Sequence, residues 1–325
     1  MDARTKVASM RRIKQIRINE SMTASDLARE MGESGVLGAG RFSAAVDICS
    51  ELFSDKRYTN ILSVAGPLVP AGLRKIIRSL IYDRMLDAIV TTGANITHDL
   101  IEAVGYSHTV GESSANDSAL RRRRIGRIYD IYINQRAYQK LEKETYKFLA
   151  KIDEQKRRNI GTYELLWEFG KQVKDNNSIV RTAQKKTVPI FCPGIYDSML
   201  GMNLWTFSQT NTLVLNPFLD FSKLVDMSYE ADKVGVIILG GGLPKHHVLA
   251  ANILRGGVDA AIQITFDRPE AGGLSGAPLE EAISWNKIAN SKNLATVIGD
   301  ATIIFPMMVL AAIQRTSKRR FSRAE

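Results

Sequence analysis

The feature that most limits the possible folds is a local pattern that recurs six times along the chain. A short apolar run rich in β-branched residues leads into a turn containing Gly or Pro, and then into a helical segment. Parallel strands buried on both faces have such near-continuous apolar sequences, and each needs a crossover to reach the next strand. The pattern therefore predicts an α/β fold with a mostly parallel sheet covered by helices on both faces. The predicted strands are residues 60–64, 87–92, 188–192, 234–239, 260–266 and 295–298.

The predicted sheet is doubly wound and Rossmann-like, and one long stretch interrupts it. Residues 105–187 are rich in Lys, Glu and Tyr with helical periodicity, which predicts a mostly helical insertion with a surface loop at residues 121–127. We expect a single catalytic α/β domain over residues 35–314. A basic, partly helical N-terminal arm (residues 1–34) precedes it, and a basic tail (residues 315–325) follows it.

The distribution of charge decides which partners the composition favours. The 325 residues include 44 Lys and Arg against 34 Asp and Glu, which gives a net charge of +10 and a pI of about 9.5. Residues 1–20 carry +4, residues 121–127 carry +5 and residues 315–325 carry +4, which leaves −3 for the rest of the chain. A slightly acidic body argues against nucleic acid as the partner and is compatible with a polycationic substrate.

Cysteine content and hydropathy indicate the compartment. Cys49 and Cys192 are far apart with no CxxC, which favours two buried thiols in a reducing environment and argues against a structural zinc site. The longest apolar stretch, residues 303–313, is interrupted by Pro306 and is shorter than the ~18 residues of a membrane span. No basic segment runs into an apolar one at the N-terminus. We therefore expect a cytoplasmic protein without a membrane partner.

Three of the predicted turns could bind a nucleotide. Gly240-Gly241-Gly242 follows an apolar strand and precedes a helix, so its backbone N–H groups could cradle a phosphate, although a plain tight turn is equally consistent. Residues 91–94 and 299–301 occupy equivalent positions on other units, and Asp300 could accept hydrogen bonds from a ribose. Because the carboxyl ends of parallel strands form the ligand crevice, a dinucleotide could lie across all three turns.

Two side chains are candidates for acid/base or nucleophilic chemistry. His246 lies just after the glycine turn, where a neutral imidazole could handle a proton, although a hydrogen-bonded turn histidine is equally consistent. No pair of histidines has metal-binding spacing, so we expect no metal. Glu280 and Lys287 would share a face if residues 279–288 form a helix. A partly desolvated lysine there could attack a carbonyl or an imine, against the simpler interpretation of a solvated surface lysine.

These segments together resemble one enzyme family. The sequence GGGLPKHH at residues 240–247, then SGA at 275–277, EAISWNK at 281–287 and GDA at 299–301, resembles deoxyhypusine synthase. The sequences AGPLVPAGLR at 65–74 and TTGAN at 91–95 are similar to its archaeal branch. The likeness runs in the same order from about residue 35 to residue 312.

The resemblance implies an NAD-dependent aminobutyl transferase. The family oxidises spermidine with NAD, carries the aminobutyl group as an imine on an enzyme lysine, and transfers it to one lysine of the translation factor 5A precursor. It implies Lys287 as the nucleophile, His246 as the proton-handling imidazole, Trp285 as an aromatic wall, and Glu281 and Asp197 as substrate-binding carboxylates. It also implies a homotetramer built from two dimers with shared active sites. The implied NAD contacts are Thr92, Gly93, Ala94, Asp197, Gly241, Gly242, Ser275, Asp300 and Ala301.

The chain departs from the family pattern at positions that bear on the substrate. Met202 and Leu274 stand where eukaryotic members have carboxylates, Ala250 where they have Asn, and Asn286 where the lysine motif usually has Gly. These changes leave open a paralogous aminobutyl transferase that uses another amine donor, such as agmatine, or a free amine acceptor, as a homospermidine synthase does. A nucleotide- or nucleic-acid-binding module in which Lys287 is inert is the alternative from another class.

Overall fold

The computed structural model describes residues 11–290 and 292–321. The first ten residues of the predicted N-terminal arm and residues 322–325 of the predicted basic tail lie outside the described residues. Within the described part of the chain, no helix is long and apolar enough to cross a membrane.

The main sheet confirms the predicted α/β fold. In the described residues it has six strands, all parallel, in the order β6-β2-β1-β7-β8-β9. Numbered by their order within this sheet alone, the strands run 3-2-1-4-5-6, which is the doubly wound order of dinucleotide-binding folds. The strand order reverses between β1 and β7, so a ligand crevice is expected at their carboxyl ends. The strands are Tyr58–Val64 (β1), Ala88–Thr91 (β2), Ile190–Phe191 (β6), Lys233–Leu239 (β7), Ala260–Thr265 (β8) and Leu294–Ile298 (β9).

Helices cover both faces of this sheet because its strands are apolar on both sides. Ile237 and Leu239 of β7 pack into one buried cluster with Phe305, whereas Val236 and Ile238 pack into another with Val248. The helices are Ala24–Ser34 (α1), Leu37–Ser54 (α2), Arg74–Tyr82 (α3), Gly93–Ala103 (α4), Asp117–Arg122 (α5), Arg136–Ala150 (α6), Glu154–Arg157 (α7), Thr162–Gln172 (α8), Ile179–Lys186 (α9), Met199–Ser208 (α10), Pro217–Glu230 (α11), Gly242–Ala250 (α12), Glu281–Ser284 (α13) and Ala301–Phe321 (α14).

The insertion between β2 and β6 is less helical than predicted. Besides α5 to α9 it contains a small antiparallel sheet of Thr109–Val110 (β3), Ile125–Ile128 (β4) and Ile131–Asn134 (β5). The expected surface loop at residues 121–127 was also wrong, because Arg121 and Arg122 form the last turn of α5 and Arg127 lies in β4. Arg127 is fixed there by Asp117, whose carboxylate accepts from Nη2 at 2.6 Å.

A buried ion network joins the insertion to the sheet domain. The Arg74 side chain is 8% exposed, and its Nε donates to Asp99 Oδ1 at 2.6 Å. Its other nitrogens donate to Asp175 Oδ2 at 2.8 Å and to Glu102 Oε2 at 3.2 Å. Asp99 in turn accepts from Ser178 Oγ and from two backbone N–H groups at the start of α9. One guanidinium therefore ties together α3, α4 and the segment that leads into α9.

Replacing Arg74 by alanine is expected to lower the free energy of unfolding by about 3–5 kcal/mol, because it strands buried carboxylates without their cation. Urea denaturation measures this difference. Lys75→Ala is the matched control on the same helix, since Lys75 is exposed, and it should change stability by no more than about 0.5 kcal/mol. A loss below about 1 kcal/mol for Arg74→Ala would contradict the stabilising role of the network.

Two histidines extend this network into a hydrogen-bonded chain. His108 Nδ1 lies 2.9 Å from Glu102 Oε1, and His108 Nε2 lies 2.8 Å from His98 Nδ1. The carboxylate can only accept, so His108 donates through Nδ1. Burial, and then the neighbouring His108, lower the pKa of His98 to about 4. The His98 ring is therefore neutral in the folded protein at pH 7.

Stability is expected to fall as the pH drops from about 6.5 towards 4. In this pH range His98 is protonated in the unfolded chain but stays neutral in the folded protein, so acidification favours unfolding. Neutral His98 contributes about 3 kcal/mol to the free energy of unfolding above pH 6.5, and this contribution is lost completely below about pH 4. Urea denaturation at pH 7.5 and pH 5 should show a smaller pH dependence for His98→Asn than for the unchanged protein. Equal pH dependence for the two proteins would contradict this origin.

Candidate functional site

A crevice opens at the carboxyl ends of β1, β7, β8 and β9, where the strand order reverses. Its cavity volume is about 640 Å³. The turns that follow these four strands supply most of its lining, and the β4–β5 hairpin of the insertion closes one side. The lining residues are Ala65, Gly66, Pro67, Leu68, Ala71, Ile128, Tyr129, Asp130, Ile131, Gly240, Gly241, Ile264, Thr265, Phe266, Asp267, Ser275, Gly299, Asp300, Ala301 and Thr302.

The glycine turn after β7 requires glycine for two reasons, the backbone conformation at two of its residues and a lack of space at the third. Gly240 and Gly242 have φ of +75° and +57°, in the left-handed region that favours glycine. A Cβ on Gly241 would overlap Cα of Ser275, so the loop after β8 packs directly on this turn. Within the described residues, no side chain caps α12, which begins at Gly242. The first N–H groups of α12 are thus available to an anion.

Asp300 has a structural contact of its own at the other end of the crevice. Its Oδ1 accepts from the backbone N–H of Thr302 at 2.7 Å and from Thr302 Oγ1 at 2.8 Å. These bonds hold the carboxylate at the start of α14, directly after β9. A carboxylate fixed at a strand end on the rim of the crevice can accept hydrogen bonds from hydroxyl groups of a ligand.

The structure corrects the helix predicted over residues 279–288. Helix α13 ends at Ser284, and Asn286 has φ of +55°. The N–H of Asn286 bonds to Ile283 O, and the N–H of Lys287 bonds to Ala282 O, each at 3.0 Å. These two bonds form a Schellman motif, in which the residue at position 286 must be left-handed. Gly and Asn adopt this conformation most readily, which explains why Asn can stand where the family motif usually has Gly.

The Schellman motif fixes the position of the Lys287 backbone. Lys287 O accepts from Val258 N at 3.0 Å, and Asn286 Nδ2 donates to Ile253 O at 3.1 Å. Lys287 is therefore held on both sides although it lies in no helix or strand. Its side chain is half-buried, with Nζ 5.6 Å from the centroid of the Trp285 ring. The Trp285 side chain is 64% exposed, so one face of the site is open in the single chain.

The charges around Lys287 place His246 and Glu281 in the same cluster. Burial lowers the pKa of His246, and the positive charge of nearby Lys287 lowers it further. Burial lowers the pKa of Lys245 to about 8, with Glu281 opposing that effect and Lys287 adding to it. The charge of Lys287 thus acts on both Lys245 and His246, and the charge of Glu281 acts on Lys245. In this environment His246 favours its neutral form, which can accept a proton.

The remaining predicted residues lie beside the crevice rather than in its lining. Thr92, Gly93 and Ala94 begin α4, where Thr92 Oγ1 accepts from Asn95 N. Asn95 Nδ2 reaches Gly66 O at 3.0 Å and so joins this turn to the crevice wall. A Cβ on Gly93 would meet Ser198 and Ile195 O, so Gly93 packs on the turn that carries the exposed Asp197. Gly242 is the first residue of α12. NAD binding by these residues stays a prediction.

Sequence reasoning missed several residues of the site. Lys245 and Gln263 form buried hydrogen bonds to the loop after β8. Gln263 had a visible signal, because it is a polar residue within the otherwise apolar strand β8. Tyr129 and Asp130 reach the crevice from the insertion, and nothing local in the sequence indicates that contact.

Among the described residues, no cluster of His, Cys, Asp or Glu is arranged to hold a metal ion.

The comparisons with known proteins agree with the motif pattern. The family model described as deoxyhypusine synthase matches residues 26–312. The chain belongs to the deoxyhypusine synthase family. A relative from Methanothermobacter thermautotrophicus named "Probable deoxyhypusine synthase" is 46% identical over 301 residues, covering 93% of this chain and 97% of the relative. A relative from Methanosarcina acetivorans with the name "Probable deoxyhypusine synthase 1" is 40% identical, covering 94% of this chain and 96% of the relative.

Solved structures show the same fold at lower identity. A crystal structure of an Entamoeba histolytica protein, provisionally named deoxyhypusine synthase, has a TM-score of 0.67 at 20% identity and covers 94% of this chain and 98% of that one. The structure of AgrE with ornithine and NAD+ has a TM-score of 0.53 at 11% identity and covers 87% of this chain and 34% of that one. At these identities the likeness supports the fold alone.

The deoxyhypusine synthase family is a family of transferases. The resemblance to this family that the sequence motifs indicated is confirmed.

Proposed function

We propose that the protein is an NAD-dependent deoxyhypusine synthase that moves the aminobutyl group of spermidine to a lysine of the translation factor 5A precursor. The observation that supports this most is the placement of Lys287, whose backbone is fixed by a Schellman motif and whose Nζ lies 5.6 Å from the centroid of the Trp285 ring. Its charge also lowers the pKa of His246. A lysine near an aromatic ring and an imidazole suits an amine nucleophile that must lose a proton before it attacks.

The crevice fits the NAD that this proposal needs. Gly241 has no room for a Cβ, and the uncapped start of α12 offers N–H groups to a pyrophosphate. Asp300 would accept from ribose hydroxyl groups, and Ser275 and Ala301 would line the walls. Thr92, Gly93, Ala94 and Asp197 are assigned to the cofactor on the resemblance of their motifs. When bound, NAD supplies the hydride acceptor for the substrate amine.

The protein's own residues then perform the transfer. Oxidation leaves the spermidine secondary amine as an imine, and the Lys287 amine adds to its carbon and expels the aminopropyl remainder as a free amine. His246 takes the proton that the attacking amine releases. Trp285 packs on the apolar methylene chain, while Glu281, exposed at the start of α13, binds a terminal ammonium. The lysine of the acceptor protein would repeat the exchange, and a hydride that the bound cofactor would supply would leave the new imine as a stable secondary amine.

We propose that this enzyme is a homotetramer whose active sites are completed across a dimer interface. Many large apolar side chains are exposed in the single chain around α10, α11 and the start of α12, a feature typical of a protein-binding surface; six of them bear on this proposal. They are Tyr196, Met202, Trp205, Phe218, Phe221 and Leu243. Leu243 lies three residues before His246, so a partner placed there would also close the open side of the site. We expect the enzyme in the cytoplasm, where its acceptor is made.

The exposed Met202 and Leu274 favour a test of the alternative reaction. Met202 and Leu274 are 55% and 46% exposed, and being apolar they supply no carboxylate of the kind that anchors an amine in eukaryotic members. An aminobutyl transferase with a different donor or a free amine acceptor would tolerate this loss.

The protein is incubated with NAD, spermidine labelled in its aminobutyl part and the factor 5A precursor. We expect label on one lysine of the precursor, and none on a precursor whose lysine is replaced by arginine. Label found only in free polyamines would instead support the alternative. Replacement of spermidine by labelled agmatine tests the donor in the same assay.

A further inference from the structure

Lys245 is a buried lysine whose three donors are all used. The residue is 4% exposed, and its Nζ donates to Gln263 Oε1 at 2.9 Å, to Leu274 O at 3.0 Å and to Ala277 O at 2.6 Å. An ammonium has three hydrogens to donate, so the group is fully satisfied. Burying a lysine is costly, and these bonds favour the charged form against the effect of burial. The ammonium group of Lys245 thus binds two carbonyl groups of a single loop.

Gln263 completes the network from within the sheet. It is fully buried in β8, where its Oε1 accepts from Lys245. Its Nε2 donates to Gly240 O at 3.0 Å and to Ser275 O at 2.8 Å. The reverse orientation of the amide would point its NH₂ group at the ammonium, so the lysine fixes the orientation of the glutamine. Together the two side chains link the glycine turn to three carbonyl groups of the loop, at residues 274, 275 and 277.

The loop that they hold has few backbone hydrogen bonds of its own. Residues 272–278 contain no helix or strand, and backbone bonds from Gly276 and Ala277 return only to Gly273. The same loop presses Ser275 onto Gly241 and contributes Ser275 to the crevice wall. Its carbonyl groups at residues 274, 275 and 277 all end on Lys245 or Gln263.

We propose that Lys245 and Gln263 are positioning residues that clamp residues 272–278 against the glycine turn and thereby set the affinity of the crevice for its dinucleotide. The proposal rests on the proposed function for the identity of the ligand. The clamp itself is a property of the free protein, since each of its contacts lies within the chain. Loss of the clamp should loosen the loop and weaken NAD binding, while the chemistry at Lys287 continues once the cofactor is saturating.

The test compares two variants with a matched control. Lys245→Met keeps the length of the side chain and removes its donors. Gln263→Glu keeps the acceptor for Lys245 and removes the two bonds to Gly240 O and Ser275 O. Lys292→Met is the control, because Lys292 is an exposed lysine. Hydrogen exchange of residues 272–278 in the free protein, titration calorimetry with NAD, and steady-state kinetics are measured for each.

We expect exchange in residues 272–278 to accelerate by about tenfold or more in both variants. The KM and Kd for NAD should rise by at least about tenfold, while kcat at saturating NAD stays within about threefold of the unchanged protein. The control should match the unchanged protein. Gln263→Glu carries the test alone if Lys245→Met does not fold.

Unchanged exchange in the loop would overturn the clamp, and so would a lower kcat with an unchanged KM for NAD. If the unchanged protein binds no NAD, the proposed function fails, and the exchange measurement still decides whether the clamp exists. If NAD binds normally to variants whose loop exchanges faster, the positioning role is wrong while the proposed function stands.

Discussion

Replacing Lys287 by arginine is expected to reduce aminobutyl transfer by about a thousandfold or more. A guanidinium stays protonated at any pH that the protein tolerates, so it cannot form an imine. Arginine keeps the positive charge that lowers the pKa of His246, so the loss should reflect the missing nucleophile rather than altered electrostatics. The measurement is the rate at which labelled spermidine modifies the factor 5A precursor at saturating NAD.

Lys292→Arg is the matched control for this substitution, since the lysine lies five positions further along the chain and is exposed. It should retain the full rate. Transfer by Lys287→Arg at more than about a tenth of the normal rate would mean that another group carries the aminobutyl chain.

Replacing His246 by glutamine is expected to lower kcat by about 10²–10⁴-fold, which is the usual contribution of a general acid or base. Burial and the Lys287 charge both lower the pKa of this imidazole, so it is available as a base at neutral pH. Protonation of His246 should therefore contribute a decrease in kcat of the unchanged protein as the pH falls below 7. The variant should lose the part of this decrease that His246 causes.

His247→Gln is the matched control, because His247 is the neighbouring histidine on the same helix. Its ring packs on Phe221, with 5.5 Å between the ring centroids, whereas the charge of Lys287 acts on His246. We expect its kcat to stay within about tenfold of normal. A larger loss of kcat in His247→Gln than in His246→Gln would reverse the assignment within the pair.

The main sheet could be predicted closely because its signal is local and strong. Each of the six strands was predicted to within two residues at both ends, since buried parallel strands carry continuous apolar runs between glycine turns. The antiparallel sheet of the insertion was missed because its strands are two to four residues long, β3 is exposed, and β4 and β5 are only partly buried. Such strands carry too few residues to show alternation.

Site residues that lie in the turns after the strands could be predicted from the sequence. Those that depend on contacts between distant segments could not. Gly241, Ser275 and Asp300 line the crevice because each follows a strand of the sheet. The helix predicted through Lys287 failed because apolar periodicity continues past Ser284, whereas the left-handed Asn286 ends the helix. The clamp joins Lys245 to carbonyl groups 29 and 32 residues away, and backbone acceptors have no sequence signature.

The most direct test of the central claim is to trap the group that the enzyme carries. The unchanged protein is incubated with NAD and labelled spermidine without an acceptor, reduced with borohydride, digested and mapped by mass spectrometry. The account predicts one aminobutyl adduct, on Lys287, that requires NAD. An adduct on a different lysine, or none on a protein that transfers the label, would contradict it.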